Sequence, residues 1–280
     1  MQRGSSMLSE FQTSLSKVLT LWHCVKVKQH YHTYIIFKTG KLLVTTGRLT
    51  DKGQNTEVID LANPDSKCDP LPNYPIQIFG ATGGLLQDSS PLVCGGFDGT
   101  DLGRISQCYI VDGNETLQTI DLNIYRWYSA SVVLNKDTLW ITGGYEFESV
   151  LYSTEFVKLD HSTAISGPDI NVEDYVPFYH CMTKLNETTV ISTGGLGNYG
   201  KTLIIDVSQD YLMMPGPKME WERNGHACGT FISHGKIMVI VVGGSDDLNF
   251  IGTTEIWDPS SDKGWVQGND IKQSNHVGQN

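Results

Sequence analysis

The stretch Gly195-Leu-Gly-Asn-Tyr-Gly200-Lys201-Thr202 matches the pattern G-x-x-x-x-G-K-[ST], in which backbone amides cradle phosphates and a lysine reaches them. That chemistry needs a strand before the loop and a helix after it, so that the amides of the helix N-terminus face the anion. Here Thr202 runs into Leu203-Ile-Ile-Asp-Val, a strand by composition, so a hairpin loop is predicted rather than a nucleotide site. A second group, His23, Cys24, His30 and His32, holds metal-ligand residue types. Its spacing fits no zinc pattern, and surface histidines are the expectation. The chain carries no G-x-S-x-G elbow, no H-E-x-x-H and no Cys-x-x-Cys pair. No catalytic residue, cofactor or metal is therefore expected, and the chain is read as not an enzyme.

Six cysteines, at 24, 68, 94, 108, 181 and 228, are too scattered for a small-domain disulfide framework. Free buried thiols are predicted, with the disulfide state of Cys68, Cys94 and Cys108 left open, and a cytoplasmic protein is slightly favoured. Two N-x-T sequons, at Asn114 and Asn186, would accept glycans only in a chain that enters the secretory pathway, so an extracellular protein also stays open. With 31 Asp and Glu against 20 Lys and Arg, the net charge of −11 repels a phosphate backbone or an anionic membrane. No run of 18 apolar residues exists to span a bilayer.

These groups must be held by some frame, and internal repetition supplies it. Glycine doublets close four apolar runs: Leu92-Val-Cys-Gly95-Gly96, Leu139-Trp-Ile-Thr-Gly143-Gly144, Val190-Ile-Ser-Thr-Gly194-Gly195 and Val239-Ile-Val-Val-Gly243-Gly244. Successive second glycines are 48, 51 and 49 residues apart, and Leu42-Leu-Val-Thr-Thr-Gly47 is a decayed copy 49 residues before Gly96. Each doublet is followed, after a polar loop, by a β-rich segment ending in Asp, as in Cys108-Tyr-Ile-Val-Asp112 and Glu255-Ile-Trp-Asp258. A further strand-like run precedes each doublet, among them Trp127 to Leu134 and Phe178 to Leu185.

Four short strands per unit of about 50 residues is the kelch period. By its glycine doublets and the aromatic or Trp-Asp ending of the third strand, the chain resembles the kelch-repeat (kelch-like) family over residues 31 to 268. Arg223-Asn-Gly-His226, Gly243-Gly244 and Trp257-Asp258 match it best. Elsewhere Ser129 stands for the histidine and Pro177 for the arginine, and Trp265 alone represents the usual fourth-strand tryptophan. The resemblance implies an all-β propeller of five four-stranded blades, or an incomplete six-bladed disc. The blades are placed at 31–75, 76–122, 126–170, 176–218 and 223–268. Residues 1–30 would form a leader with a short amphipathic helix or no order, and 269–280 a tail. The doublets Gly95-Gly96, Gly143-Gly144, Gly194-Gly195 and Gly243-Gly244 are expected to take positive φ, with Tyr109, Phe156 and Trp257 lying over them.

Loops joining second to third strands share one face of a propeller, and binding is expected there. They hold Phe97, Asp98, Asp101 and Arg104; Tyr145, Glu146 and Glu148; Asn198, Tyr199 and Lys201; and Asp246, Asp247 and Phe250. Aromatic anchors among carboxylates suit a protein or peptide partner carrying basic residues. The family resemblance adds substrate recruitment to a ubiquitin ligase and contact with actin as possible uses. A propeller-based enzyme is the alternative from another class.

Overall fold

Every glycine doublet ends the second of four antiparallel strands that follow one another along the chain, interrupted only in the third unit, where a two-stranded ribbon of Tyr145–Glu146 and Ser149–Val150 lies between the second and third strands. The computed structural model describes residues 33–270, apart from 38, 46–55, 64–68, 72–73, 88–89, 101–102, 113–114 and 247. Asp101, Asp247, Asn114, Cys24, Cys68, the leader 1–30 and the end of the tail thus lie outside the described residues.

Five four-stranded sheets stand in a ring as the blades of a β-propeller. Blade 1 is Thr33–Ile36, Lys41–Thr45, Thr56–Asp60 and Asp69–Leu71. Blade 2 is Thr82–Leu86, Ser90–Cys94, Gln107–Asp112 and Glu115–Asp121. Blade 3 is Ala130–Asn135, Thr138–Thr142, Thr154–Lys158 and Ile165–Ser166. Blade 4 is Cys181–Lys184, Thr189–Thr193, Thr202–Asp206 and Leu212–Pro215. Blade 5 is Ala227–Ser233, Lys236–Val242, Thr254–Trp257 and Val266–Gln267. First strands of successive blades pack on one another from the first blade to the fifth, so they are the inner strands. Thr202 opens a strand, not a helix, and the phosphate-loop match is a hairpin connection as its composition predicts.

The core is divided among the seams between blades. Leu86, Leu92 and Ile120 of blade 2 meet Leu139, Ile141 and Val157 of blade 3. Trp140 of blade 3 faces the other way, onto Met182, Val190 and Ile205 of blade 4. In the same manner Ile191 of blade 4 joins Val239, Val241 and Trp257 of blade 5. Neighbouring residues of one second strand therefore serve two seams, because side chains alternate along a strand. Both faces are buried, which is why these runs are apolar throughout rather than alternating.

The doublets take positive φ at all eight glycines, from 56° at Gly194 to 109° at Gly195. What lies against them is not Tyr109, Phe156 or Trp257. A side chain on Gly95, Gly143 or Gly194 would strike the carbonyl oxygen of Arg126, Pro177 or Arg223, the residue leading into the next blade's inner strand. The Gly96, Gly144 and Gly195 amides donate to those same carbonyls, at 2.9, 2.7 and 3.0 Å. The doublet is thus a backbone-to-backbone staple between blades, and the one aromatic ring against these first glycines is the His226 imidazole on Gly194, again from the next blade. Tyr109 instead meets Tyr74 edge-on at 5.4 Å, Phe156 stacks near Trp140 at 6.1 Å, and Trp257 lies beside Trp265 at 5.9 Å.

A second correction concerns the cysteines. Cys94 and Cys108 face each other on adjacent strands of blade 2 and form a disulfide, and Cys181 is bonded to Cys228 across the seam between blades 4 and 5. Scatter along the chain misleads here, because the repeat places distant residues at neighbouring positions of adjacent blades.

Candidate binding face

The linkers into the inner strands and the loops after the glycine doublets emerge on one face, joined by the bridges Phe79↔Phe97, Trp127↔Tyr145 and Asn224↔Ser245. Two devices hold these linkers. In blade 3, Arg126 is fully buried; its Nη1 donates to the carbonyls of Gly143 (2.7 Å) and Ser153 (3.0 Å), and its Nη2 to Glu155 Oε1 (2.7 Å). Glu155 Oε2 in turn accepts from the Asn123 amide at 2.6 Å. Blade 5 repeats this with Arg223, Glu255 and the Glu220 amide, at 2.9 and 2.7 Å. Burial lowers both guanidinium pKa values, while the facing carboxylate pulls each back up.

Blade 4 has Pro177 and Leu203 at those places. There the Tyr175 hydroxyl lies 2.8 Å from Ser192 Oγ and donates to the Gly194 carbonyl at 3.3 Å. Asn198 completes the arrangement, with Oδ1 accepting from the Val176 amide (2.6 Å) and Nδ2 donating to the Val176 and Gly194 carbonyls. Asn198 is wholly buried, so this expected contact residue is part of the frame. Blade 2 likewise uses a tyrosine, Tyr74, whose hydroxyl donates to the Val93 carbonyl.

At the smallest radius, one residue from each of blades 2 to 5 forms a chain of backbone hydrogen bonds. The Tyr128 amide donates to Gly80 (2.7 Å), the Tyr179 amide to Tyr128 (3.2 Å) and the Gly225 amide to Tyr179 (2.9 Å). All four have positive φ, between 51° and 67°. Two of them are tyrosines, in a conformation that costs a bulky residue about 1–3 kcal/mol. Their rings stack, with centroids 3.9 Å apart and planes 25° from parallel.

From these two rings an aromatic strip runs across three blades. Tyr179 touches Phe178 (4.6 Å), Phe178 meets Tyr145 (5.1 Å), Tyr145 stacks on Trp127 (6.0 Å, 6°), and Trp127 meets Phe97 edge-on (3.9 Å). Phe79 closes it against Phe97 at 5.4 Å. All but the buried Phe178 are half-exposed. The structure therefore joins Phe97 and Tyr145 to five rings that sequence reasoning missed: Phe79, Trp127, Tyr128, Phe178 and Tyr179. The signal was present in the aromatic pairs Trp127-Tyr128 and Phe178-Tyr179, one repeat apart at the start of their inner strands.

The other expected residues divide by role. Asp98 Oδ1 accepts from the Thr100 amide and hydroxyl, and Asp246 Oδ1 from the Leu248 and Asn249 amides; both shape their loops. Those amide donors hold the Asp246 carboxyl below its ordinary pKa. Arg104 lies over the rings of Phe147 (4.5 Å) and Tyr125 (5.2 Å), and Lys201 donates to the Asp174 carbonyl. Glu146 and Glu148 beside the strip make no hydrogen bond among the described residues, and neither does Glu222. Tyr199 is 58% exposed and Phe250 83%. A small cleft between blades 4 and 5 is lined by Tyr199, Glu222, Asn224 and Asp246. Among the described residues no cluster of three or more His, Cys, Asp or Glu side chains could hold a metal, and no helix is long and apolar enough to cross a membrane.

No family model matches the chain, and no curated protein sequence matches it either. Among solved structures, that of a protein called YjhT is similar over 90% of this chain and 87% of its own, with 12% identity and a TM-score of 0.72. It is one of 422 matching chains, so the likeness identifies an architecture shared very widely rather than a single activity. What the comparison establishes is that this chain is a β-propeller.

Proposed function

We propose that the chain is a kelch-type, non-catalytic recognition module that binds a protein or peptide on the face carrying the aromatic strip. The observation behind this reading is the strip itself, in which six half-exposed rings span three blades and two hang from left-handed backbone. Aromatic side chains that are rigid and partly desolvated supply most of the energy of protein interfaces. Among the described residues of the loops after the doublets, Arg104 and Lys201 are already engaged by the chain itself, over the Phe147 and Tyr125 rings and on the Asp174 carbonyl. The carboxylates of Glu146 and Glu148 beside the strip, and of Glu222 in the next blade's linker, favour a partner with lysine or arginine beside its apolar anchor.

Selection of random displayed peptides on the immobilised protein tests this. Peptides rich in Lys or Arg next to an apolar residue are expected. Calorimetric titration should show at least about 10-fold weaker binding to Tyr145→Ala and Tyr179→Ala. Met214→Ala, on the outer strand of blade 4, should bind as wild type. Selected peptides indifferent to both tyrosine variants would refute the chosen face.

A further inference from the structure

The four cysteines of the described residues are all oxidised, in two bonds built differently. Cys94–Cys108 joins partners directly opposite in the ladder of blade 2 and is fully buried. Cys181–Cys228 joins the inner strands of blades 4 and 5 and closes a loop of 47 residues. Cytosolic thiols are kept reduced by glutathione and thioredoxin, whereas structural disulfides form and persist in secretory and extracellular compartments.

An independent feature points to the same compartment. The sequon Asn186-Glu187-Thr188 forms the turn between the inner and second strands of blade 4, and all three residues are exposed. Asn186 Oδ1 accepts from the Thr188 amide (2.9 Å) and hydroxyl (3.2 Å), while its Nδ2 has no partner among the described residues. The turn therefore presents the nitrogen to which a glycan is joined. It lies at the end of the blade opposite the aromatic strip, where a bulky modification leaves the proposed binding face open.

The structure assigns Asn186 as an N-glycosylation site on a chain that matures in an oxidising secretory compartment. Transfer forms a bond from Asn186 Nδ2 to the anomeric carbon of a lipid-pyrophosphate-linked oligosaccharide. The anomeric C–O bond breaks, the lipid pyrophosphate leaves with the electron pair, and one amide proton passes to a base of the transferring enzyme. Each disulfide forms by exchange with an oxidised dithiol protein, which takes the two protons and two electrons. Neither step depends on what the opposite face binds.

The test uses the full chain recovered from its native cells after rapid thiol alkylation. Non-reducing peptide mapping reads the disulfides, and amidase removal of glycans in heavy-oxygen water reads Asn186 as labelled aspartate. Label at Asn186 together with linked Cys94–Cys108 and Cys181–Cys228 peptides is the expected result. Re-expressed Thr188→Ala should lose the label, and Thr188→Ser should keep it. An unlabelled Asn186, or cysteines recovered alkylated as thiols, would overturn the assignment.

Discussion

Blades 3 and 5 hold the linker entering them with a buried arginine and glutamate, whereas blade 4 performs the same task with Tyr175 and Asn198. Both arrangements satisfy the carbonyl of the doublet's first glycine, Gly143 or Gly243 in one case and Gly194 in the other. The difference lies in what is at stake when one member is lost. A charge pair removed from water is held together by its own partners, and breaking it strands an ion. A neutral tyrosine leaves behind only an unpaired hydroxyl or carbonyl. One architectural need is thus met by a brittle solution and a forgiving one within the same ring.

The largest test of that contrast is Glu155→Ala, which leaves the Arg126 guanidinium buried without its carboxylate. It should lower stability by about 3–5 kcal/mol in urea denaturation. Replacing both partners, as in Arg126→Met with Glu155→Leu, should recover most of that loss. A double variant as unstable as the single one would show that the contacts to the linker amides matter more than the stranded charge.

Seams differ in the same way, and pH separates them. The seam between blades 2 and 3 is joined by Thr82 and Ser131, whereas the next two use His180 on Thr142 and His226 on Thr193, each at 2.9 Å. Burial pushes both histidines down to about 3 from 6.5. Between those values the unfolded chain binds protons that the folded chain refuses, so stability is intact above about pH 6.5 and falls as pH drops toward 3. The slope is about 1.4 kcal/mol per pH unit for each histidine, or about 2 kcal/mol apiece at pH 5. Urea titrations at pH 7 and pH 5 measure it, and His226→Gln should reduce the difference between them. An unchanged difference would mean that His226 is solvated.

The smallest effect belongs to the forgiving blade. Tyr175→Phe removes the bonds to Ser192 and Gly194 without opening a cavity and should cost about 1 kcal/mol in the same assay. A loss as large as that of Glu155→Ala would erase the distinction between the two kinds of blade.

The fold was legible because the glycine doublets have a stereochemical cause: only glycine both takes positive φ and allows the next blade's backbone to touch it. The second and third strands could be read for a similar reason, since burial on both faces leaves unbroken apolar runs such as Val239 to Val242. The outer strands were harder, because Ile165–Ser166 and Val266–Gln267 are two residues long and carry almost no pattern. Loops after the doublets are only half of the binding face. Those loops do contain Phe97 and Tyr145, but the linkers that share the face contribute Trp127, Tyr128 and Tyr179. Asn198 looked like a loop polar group because nothing local shows that it points inward to replace a missing arginine. The disulfides were hidden by sequence separation, and the 47-residue gap between Cys181 and Cys228 signifies neighbours only once that gap is set beside the repeat length.

Gly80, Tyr128, Tyr179 and Gly225 occupy one backbone geometry with unlike side chains. The hydrogen bonds that fix this geometry use main-chain atoms alone, so they survive a change of side chain at the cost of about 1–3 kcal/mol for a residue other than glycine. A side chain added at Gly225 would first approach the Tyr179 ring at 3.7 Å, an ordinary contact, and would extend the paired rings toward the fifth blade. Gly80 has no such room, its would-be Cβ lying 2.8 Å from the Tyr128 ring, so it is at Gly225 that a new ligand preference can arise by substitution without any strand being moved.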